Sequence, residues 1–212
     1  METKIKIAVL GGGGRTGKYI VMELLSLGYS IKLLLRSPEK FQLESPLIEI
    51  VKGDALDEEA IRSLADGCEA IISTVGQRKD EPLVASQATT NVLKAMAQYG
   101  IQRYILVAGI NVDTPFDKKS PETMAATNWM KTNFPKIQAD RQKTYSILFA
   151  SHVNWTLVRV PLIEFTDISG AMLVSLEDCL GSKISAHDIA TFVIEQLSED
   201  RYIKKSPFIA NV

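Results

Sequence analysis

Short apolar runs alternate with stretches of helical spacing along the first half of the chain. The runs IKIAVL (5–10) and IKLLL (31–35) consist mainly of leucine and β-branched side chains. Between them, Ile20, Leu24 and Leu27 recur at the spacing of one helix face. This pattern predicts a strand, a helix and a second strand in succession.

The same alternation continues to about residue 107. It predicts further strands at 48–52, 70–74 and 103–107, and helices at 57–65 and 86–99. The strands are apolar on both faces, as in a parallel sheet that is covered by helices on each side. We therefore expect an α/β fold with a doubly wound, mainly parallel sheet.

The pattern is less regular after residue 107. Residues 108–135 contain Pro115, Pro121 and Pro135 among polar residues, so we expect a long loop that is functional or mobile. Beyond it, the sequence predicts a helix at 137–150, a strand at 155–160, a short apolar run at 171–176 and a helix at 186–197. No linker or repeat interrupts the chain. We expect one domain over 1–212, with its substrate side drawn from 108–135 and 160–185.

The composition limits the classes of function. The 212 residues carry 24 basic and 25 acidic side chains, a balance that does not favour nucleic-acid binding. The two cysteines, Cys68 and Cys179, lie far apart, which argues against a disulfide framework or structural zinc. No apolar stretch is long enough for a membrane span, and METKIKIAVL lacks a signal-peptide pattern. We expect a cytoplasmic monomer or weak dimer whose partner is a small molecule.

Four consecutive glycines lie between the first predicted strand and the first predicted helix. The segment VLGGGGRTGKY (9–19) contains the spacing Gly11-x-x-Gly14-x-x-Gly17. In a dinucleotide-binding unit such glycines permit a tight turn, a close approach of the backbone to a pyrophosphate, and close packing of helix on strand. The alternative is a glycine-rich bend without a ligand. Gly12 and Gly13 either belong to the motif or are merely small.

The end of the second strand indicates which dinucleotide would bind. About 20 positions beyond the glycines, NAD-binding units place an acidic residue that holds the ribose hydroxyls. This chain has Arg36 there, followed by SPEK. Because a guanidinium forms bidentate contacts with phosphate, Arg36, with Arg15 or Lys40 as helpers, predicts NADP rather than NAD. The alternative is a solvated arginine at a strand end.

Other predicted strands end in small or polar residues at the same edge of the sheet. Ligands of open α/β sheets bind outside the carboxyl ends of the strands. The candidate positions are Asp54 and Ala55 after Gly53, Thr74, Val75 and Gly76, and Ala108 with Gly109. Asp54 would accept a hydrogen bond from an adenine amino group, or it is an ordinary turn or cap residue.

Several segments together resemble the atypical short-chain dehydrogenase/reductase family. They are GGGGRTG, VKGDALD, ISTVG, RYILVAG, WTLVRVPLI and KISAHDIATFVIEQL. Within that family the chain looks most like the NmrA-like and biliverdin-IX-beta or flavin reductase group. The resemblance implies a Rossmann-like fold and a nicotinamide cofactor.

Carried over to this chain, the resemblance implies a role for each group of residues. The pyrophosphate would be held by Gly11, Gly14, Arg15, Thr16 and Gly17. Arg36 would hold the adenosine phosphate, Asp54 and Ala55 the adenine, and Thr74, Val75 and Gly76 would border the ribose. The residues that match the VRPP segment of the family, which lines the nicotinamide, are Arg159, Val160, Pro161, Leu162 and Ile163. Val160 stands in place of the first proline of that segment.

The catalytic pair typical of the broader family is missing. No tyrosine of the chain has a lysine four residues further on, so classical alcohol or ketone dehydrogenation is disfavoured. Tyr145 matches the position of an active-site histidine in flavin-reductase-like relatives and is the candidate catalytic residue, with Arg141 and Lys143 nearby in sequence. One hypothesis is an NAD(P)H-dependent reductase that passes a hydride directly to a flavin-like or quinone-like acceptor. The other is a non-catalytic, NADP-binding redox sensor of the NmrA type.

Overall fold

The apolar runs of the sequence form one sheet of ten strands in the computed structural model, which describes residues 5–77 and 83–212. The strands are β1 (Lys6–Leu10), β2 (Ser30–Leu35), β3 (Ile48–Lys52), β4 (Ala70–Ser73), β5 (Arg103–Gly109), β6 (Asn154–Val160), β7 (Leu162–Glu164), β8 (Met172–Ser175), β9 (Lys183–Ser185) and β10 (Phe208–Asn211). The helices are α1 (Gly17–Ser26), α2 (Glu58–Ala65), α3 (Val84–Tyr99), α4 (Pro121–Asn133), α5 (Pro135–Phe149) and α6 (Ala186–Glu195), with a short 3-10 helix at Pro38–Lys40.

The first six strands lie parallel in the order β3-β2-β1-β4-β5-β6. Their carboxyl ends therefore meet at one edge of the sheet, and the winding reverses between β1 and β4. At this switch point, Leu10 lies beside Leu34 on one side and Ser73 on the other. The predicted fold, a doubly wound and mainly parallel Rossmann-like sheet, is confirmed.

Both faces of the central strands are buried, which explains their continuous apolar runs. Ile7 and Val9 point into the core under α1 and α6, whereas Ala8 and Leu10 point into the core under α2, α3 and α5. All four side chains are completely buried. Because successive strand residues face opposite sides, a sheet covered twice has no polar positions to alternate with apolar ones.

The sheet extends beyond β6 through strands from the second half of the chain. Strand β10 lies parallel to β6, with Phe208 beside Arg159, and it pairs antiparallel with β8 and β9. Strand β7 lies parallel to β9. The strand β8 coincides with the apolar run at 171–176, but the sequence pattern did not predict β10.

The expectation of a loop throughout 108–135 is wrong for the residues that form α4. Ser120 caps this helix by accepting a hydrogen bond from the N–H of Thr123 at 3.3 Å. Pro121 occupies the first turn, where a missing N–H costs little. Within α4 only Thr123 and Thr127 are buried, so the helix has no apolar stripe from which its spacing could be recognised.

The carboxylate of Asp188, at the start of α6, ties three segments together. It accepts hydrogen bonds from the hydroxyl of Ser169 at 2.7 Å, the N–H of Gly170 at 3.0 Å and the amide of Asn211 at 2.8 Å. Burial acts to raise the pKa of Asp188, but these bonds and the one to Ser185 outweigh it and hold the pKa below its ordinary value of 3.8. The ionised carboxylate therefore stabilises the fold.

We expect Asp188→Asn to lower the free energy of unfolding at neutral pH by about 1 to 3 kcal/mol, because the donors around the buried Asp188 side chain lose an ionised acceptor. The contribution of Asp188 is complete above the ordinary pKa and is lost as the pH falls through the lowered pKa of the folded state. The difference from the wild type should therefore shrink below about pH 4. Urea titrations of both proteins at neutral and acidic pH measure this.

The exposed Asp167, in the loop before Ser169, supplies the matched control. Asp167→Asn removes the same charge and should leave the free energy of unfolding nearly unchanged. A deficit for Asp188→Asn that stays constant across the pH range would show that ionisation of the carboxylate does not matter.

Candidate functional site

The bend between β1 and α1 requires glycine at two positions. Gly11 has a φ of 79°, and a Cβ there would lie 2.7 Å from Oγ1 of Thr74. A Cβ on Gly17 would collide with the carbonyl oxygen of Gly11. The helix therefore begins directly against the turn that ends the strand, as the motif requires.

Gly12 and Gly13, which the sequence left open, have different surroundings. Gly12 is buried, and a Cβ there would meet the side chains of Leu33 and Val21. Gly13 is exposed, and its nearest neighbour would be the end of the Leu35 side chain at 3.0 Å. Gly12 is therefore glycine because the neighbouring side chains leave no room for a Cβ. Gly13 leaves the backbone of the bend exposed to a cleft above it.

The amino end of α1 has no capping side chain in the part of the chain that the structure describes. Thr16 is the N-cap residue but makes no side-chain hydrogen bond to the helix, and the first turn contains no acidic residue. The N–H groups of Lys18 and Tyr19 donate to the carbonyl oxygens of Gly14 and Thr16, each at 3.1 Å, but no described side chain neutralises the positive end of the helix dipole. Such an end binds phosphate groups well.

A cleft of about 660 Å³, here called the glycine-loop cleft, opens above this bend. Seven of the predicted cofactor residues line it: Gly11, Gly14, Arg36, Ala55, Thr74, Val75 and Gly76. Three residues that the sequence raised without assigning, Gly13, Lys40 and Gly53, also line it. The sequence missed Leu34, Leu35, Ser37 and Gln77, which complete the lining. The predicted residues Arg15, Thr16, Gly17 and Asp54 are not among its lining residues.

Among the described residues, the cationic side chains that line the glycine-loop cleft are Arg36 and Lys40, which both come after β2. Arg36 is exposed and directly follows the strand. Arg15 instead stacks over the ring of Phe165, 4.4 Å from its centroid. Lys40 is therefore better placed than Arg15 to assist Arg36.

The carboxylate of Asp54 holds a turn. Its Oδ1 accepts a hydrogen bond from the N–H of Leu56 at 2.8 Å, and its carbonyl oxygen accepts one from Asp57 at 3.0 Å. Of the two interpretations left open by the sequence, this contact favours the turn residue.

A second cleft of about 810 Å³ lies at the carboxyl ends of β5 and β6 beside α4, and we call it the α4 cleft. The predicted residues Gly109, Pro161 and Leu162 line it. Its other lining residues are Ile110, Asn111, Ser120, Glu122, Thr123, Ala126, Trp129, Met130, Val160, Asp178, Cys179, Leu180, Gly181 and Ser182. Ile163, by contrast, packs against the hydrophobic core.

The two clefts approach each other at the ends of β4 and β5. Val75 lines the glycine-loop cleft and also a small cavity that contains Ala108, which directly precedes Gly109 of the α4 cleft. Since adjacent strands lie about 4.8 Å apart, these groups are within reach of one extended ligand. A ligand that binds at both clefts would cross the switch point of the sheet.

Tyr145, the candidate catalytic residue, lines neither cleft. It is buried, and its ring packs against Phe149 and, edge to face, against Trp155 with centroids 6.2 Å apart. Burial raises the pKa of its hydroxyl. This position is that of a core residue.

Arg141, one turn earlier on α5, reaches the edge of the glycine-loop cleft. Its Nη1 donates to the carbonyl oxygen of Val75 at 3.3 Å, and its Nη2 lies 3.8 Å from where a Cβ on Gly76 would stand. It also lines the small cavity with Ala108. Of the residues that the sequence named on this helix, Arg141 is the one that the fold brings to the junction of the clefts.

The side chain of Arg159 is a structural tie beneath the α4 cleft. It is fully buried and donates to both carboxylate oxygens of Asp117, at 2.8 and 2.9 Å, and to the carbonyl oxygens of Val112 and Ser206. Its guanidinium stacks on Phe208, 3.4 Å from the ring centroid. The guanidinium of Arg159 therefore cannot face a ligand in the cleft.

These features define a dinucleotide-binding protein of the Rossmann class: a glycine bend, an uncapped helix amino end and a cleft across the switch point. The chain belongs to the family described as NAD(P)H-binding, whose profile matches residues 11–200. No helix in the described ranges is both long and apolar enough to cross a membrane. Within the same ranges, no group of three or more His, Cys, Asp or Glu residues could hold a metal ion.

Known proteins of similar sequence include plant reductases. An uncharacterised chloroplastic protein of Arabidopsis thaliana is 26% identical over 213 residues, which cover 94% of this chain and 74% of that protein. Cinnamoyl-CoA reductase 1 of Petunia hybrida is 23% identical over 216 residues, which cover 88% of this chain and 64% of that protein. The chain therefore spans less than two thirds of that reductase.

Solved structures share the fold at low sequence identity. A short-chain dehydrogenase/reductase of Veillonella parvula in complex with NADP has a TM-score of 0.83 at 13% identity, over 98% of this chain and 94% of that one. The resemblance to the short-chain dehydrogenase/reductase fold is confirmed. The NmrA-like or biliverdin-IX-beta reductase-like subgroup stays a prediction.

Proposed function

We propose that this protein is an NADPH-dependent reductase that passes a hydride to a flavin-like or quinone-like acceptor. The observation that carries the proposal is the junction of the two clefts at Val75 and Ala108. One cleft has the features of a dinucleotide site, and the other has the size and the apolar walls of a small-molecule site.

The preference for NADPH rests on the charges beside β2. Arg36 and Lys40 line the cleft where the adenosine ribose of a dinucleotide would lie, and no acidic residue is among the described lining residues. A 2′-phosphate would gain charge-assisted hydrogen bonds there. The NADP in the Veillonella parvula structure supports the same cofactor choice.

The acceptor would lie in the α4 cleft. NADPH supplies a hydride, the acceptor gains that hydride and one proton from water, and the products are NADP⁺ and the two-electron-reduced acceptor. Ile110, Pro161 and Trp129 are apolar walls that would hold a planar ring and keep water away from it. Because a conjugated acceptor takes its proton from water, the missing tyrosine and lysine pair is no obstacle. The similarity to cinnamoyl-CoA reductase supports a reductase of some kind.

Arg141 would position the cofactor at the junction. Its guanidinium lies beside Val75 and Gly76 and can donate to the ribose or phosphate oxygens of a dinucleotide that runs from the glycine bend toward Ala108. Arg141 would thereby fix the direction in which the nicotinamide enters the α4 cleft.

The direct test adds menadione to the purified protein with NADPH and follows the absorbance of the reduced nicotinamide. Menadione-dependent oxidation of NADPH, faster than that of NADH, is the expected result. Tight binding of NADPH without turnover of menadione or riboflavin would instead support the redox sensor. Failure to bind either dinucleotide would refute both functions.

Arg141→Met should lower kcat/KM for NADPH by about tenfold to a hundredfold, since it removes the guanidinium donors at the junction and keeps an unbranched side chain. Tyr145→Phe should change kcat/KM by less than about twofold, because its ring belongs to the core. Steady-state kinetics of the two variants and of Lys143→Met, an exposed cation of the same helix, measure this. A large loss of kcat/KM in Tyr145→Phe, with no loss in Arg141→Met, would show that Tyr145 and not Arg141 acts at the site.

A further inference from the structure

The α4 cleft combines apolar walls with negative charge. Asp178 and Glu122 are the two ionisable carboxylates among its described lining residues, and none of these residues is lysine, arginine or histidine. Glu122 is exposed in the first turn of α4. Asp178 lies opposite, in the segment after β8, and is partly buried.

Asp178 is held as an anion. Burial acts to raise the pKa of Asp178, but the hydroxyl of Thr123, the groups of Ser120 and the N–H of Cys179 together bring the pKa below its ordinary value. Its Oδ1 is buried and has no hydrogen-bond partner within the described residues. Asp178 is therefore a fixed carboxylate in the wall of the cleft, and one of its oxygens is buried without a hydrogen-bond partner among the described residues.

The cations nearest to the cleft are buried beneath it and paired. Lys119 has a side chain only 2% exposed, and its Nζ donates to Asp113 at 2.7 Å and to the carbonyl oxygen of Ile110 at 2.9 Å. Arg159 is fully buried against Asp117. Lys131 also pairs with Asp113, at 2.9 Å, so these three cations and two aspartates carry one net positive charge. None of the three cations lines the cleft, whereas both carboxylates do.

The cations near the rim are also paired. Lys118 lies 2.7 Å from Glu177, and Lys183 lies 3.0 Å from Glu164. Neither lysine lines the cleft. A ligand in the α4 cleft would thus meet aromatic and aliphatic walls and two carboxylates, with no cationic side chain among the described lining residues.

We propose that the α4 cleft selects uncharged or cationic aromatic acceptors and rejects those that carry a sulfonate, carboxylate or phosphate on the ring that enters it. This inference rests on the proposed reductase function and narrows its acceptor class to quinone-like rings without an anionic substituent. An anion there would lie near Asp178 and Glu122 in a site of lowered dielectric, where repulsion between like charges is stronger than in water.

The test compares three naphthoquinones in NADPH oxidation: menadione, a ring bearing a sulfonate and a ring bearing a trimethylammonium group. At low ionic strength we expect kcat/KM for menadione to exceed that for the sulfonate by about tenfold or more. The double variant Asp178→Asn, Glu122→Gln should reduce this ratio about tenfold. Because the wild type and the variant are compared with the same two compounds, the difference between the redox potentials of the compounds does not affect the change in the ratio. Glu58→Gln, which removes a carboxylate of α2 paired with Lys94, should leave the ratio unchanged.

Two further measurements test the inference without relying on the double variant or on turnover. The ratio for the wild-type protein should fall as salt is added, because salt screens the carboxylates, and this requires no variant. Trp129 lines the cleft and is 58% exposed, whereas Trp155 is buried, so quenching that disappears in Trp129→Phe reports binding without turnover.

The outcomes separate the inference from the proposed function. Equal kcat/KM for menadione and the sulfonate, or a ratio that the double variant and salt do not alter, overturns the inference and leaves the reductase intact. Absence of turnover with every quinone overturns the reductase. In that case, Trp129 quenching by menadione but not by the sulfonate would still support the selectivity of the cleft, and equal quenching by both would refute it.

Discussion

Gly13→Asp should abolish measurable binding of both NADPH and NADH, a loss of about a hundredfold or more in affinity. Gly13 lies exposed on the wall of the glycine-loop cleft, where the bare backbone faces the place of a pyrophosphate. A carboxylate there would repel the phosphates and occupy their space. The fold should survive, because a Cβ at this position meets only the flexible end of Leu35.

Titration with each reduced dinucleotide, followed by nicotinamide fluorescence, measures the loss. Gly13→Ala is the control for added bulk and should bind far better than the aspartate variant. A thermal melt distinguishes a damaged site from a damaged fold, since Gly17→Val, whose Cβ would strike the carbonyl of Gly11, should lose stability as well as binding. Undiminished binding by Gly13→Asp would show that the dinucleotide does not cross this bend.

Arg36→Asp should invert the choice of dinucleotide, with the ratio of NADPH to NADH affinity falling about a hundredfold or more. The substitution removes the guanidinium that would hold a 2′-phosphate and supplies a carboxylate that can accept hydrogen bonds from the ribose hydroxyls of NADH. The effect should be largest at low salt, because Arg36 is exposed.

Dissociation constants for both dinucleotides, measured on the same preparations, give the ratio. Lys40→Ala should lower NADPH affinity by a smaller factor, and Arg15→Ala, whose guanidinium stacks on Phe165, should leave the ratio unchanged. An unchanged ratio in Arg36→Asp would mean that Arg36 is a solvated arginine at a strand end, the alternative considered from the sequence.

The strands and helices from β1 to β5 could be predicted from the sequence because each is indicated by a pattern within its own residues. Each of the first five strands is a short apolar run, and the glycine spacing fixes the bend after β1. Ligands of open α/β sheets bind outside the carboxyl ends of the strands. This rule alone predicts that Thr74 and Gly76 line the glycine-loop cleft, without knowledge of the surrounding side chains.

The rest of the site depends on contacts that no local pattern encodes. Helix α4 buries threonines in place of an apolar stripe, so its residues read as a loop. Arg141 and Tyr145 lie on the same helix one turn apart, and only the packing of α5 against the sheet decides which of them reaches the cleft. Asp178 comes from the segment after β8, far from α4 in sequence. Nothing in the sequence around Asp178 indicates that this segment and α4 line the same cleft.

The position of β10 has a consequence for how the protein matures during synthesis. This strand enters the sheet between β6 and the pair β8 and β9, and a Cβ on Gly181, a wall residue of the α4 cleft, would collide with the backbone of Asn211. The lining residues of the glycine-loop cleft all come from the first 77 residues of the chain, whereas the far wall of the α4 cleft packs against β10. We therefore expect the α4 cleft to take its final shape only after β10 has been synthesised.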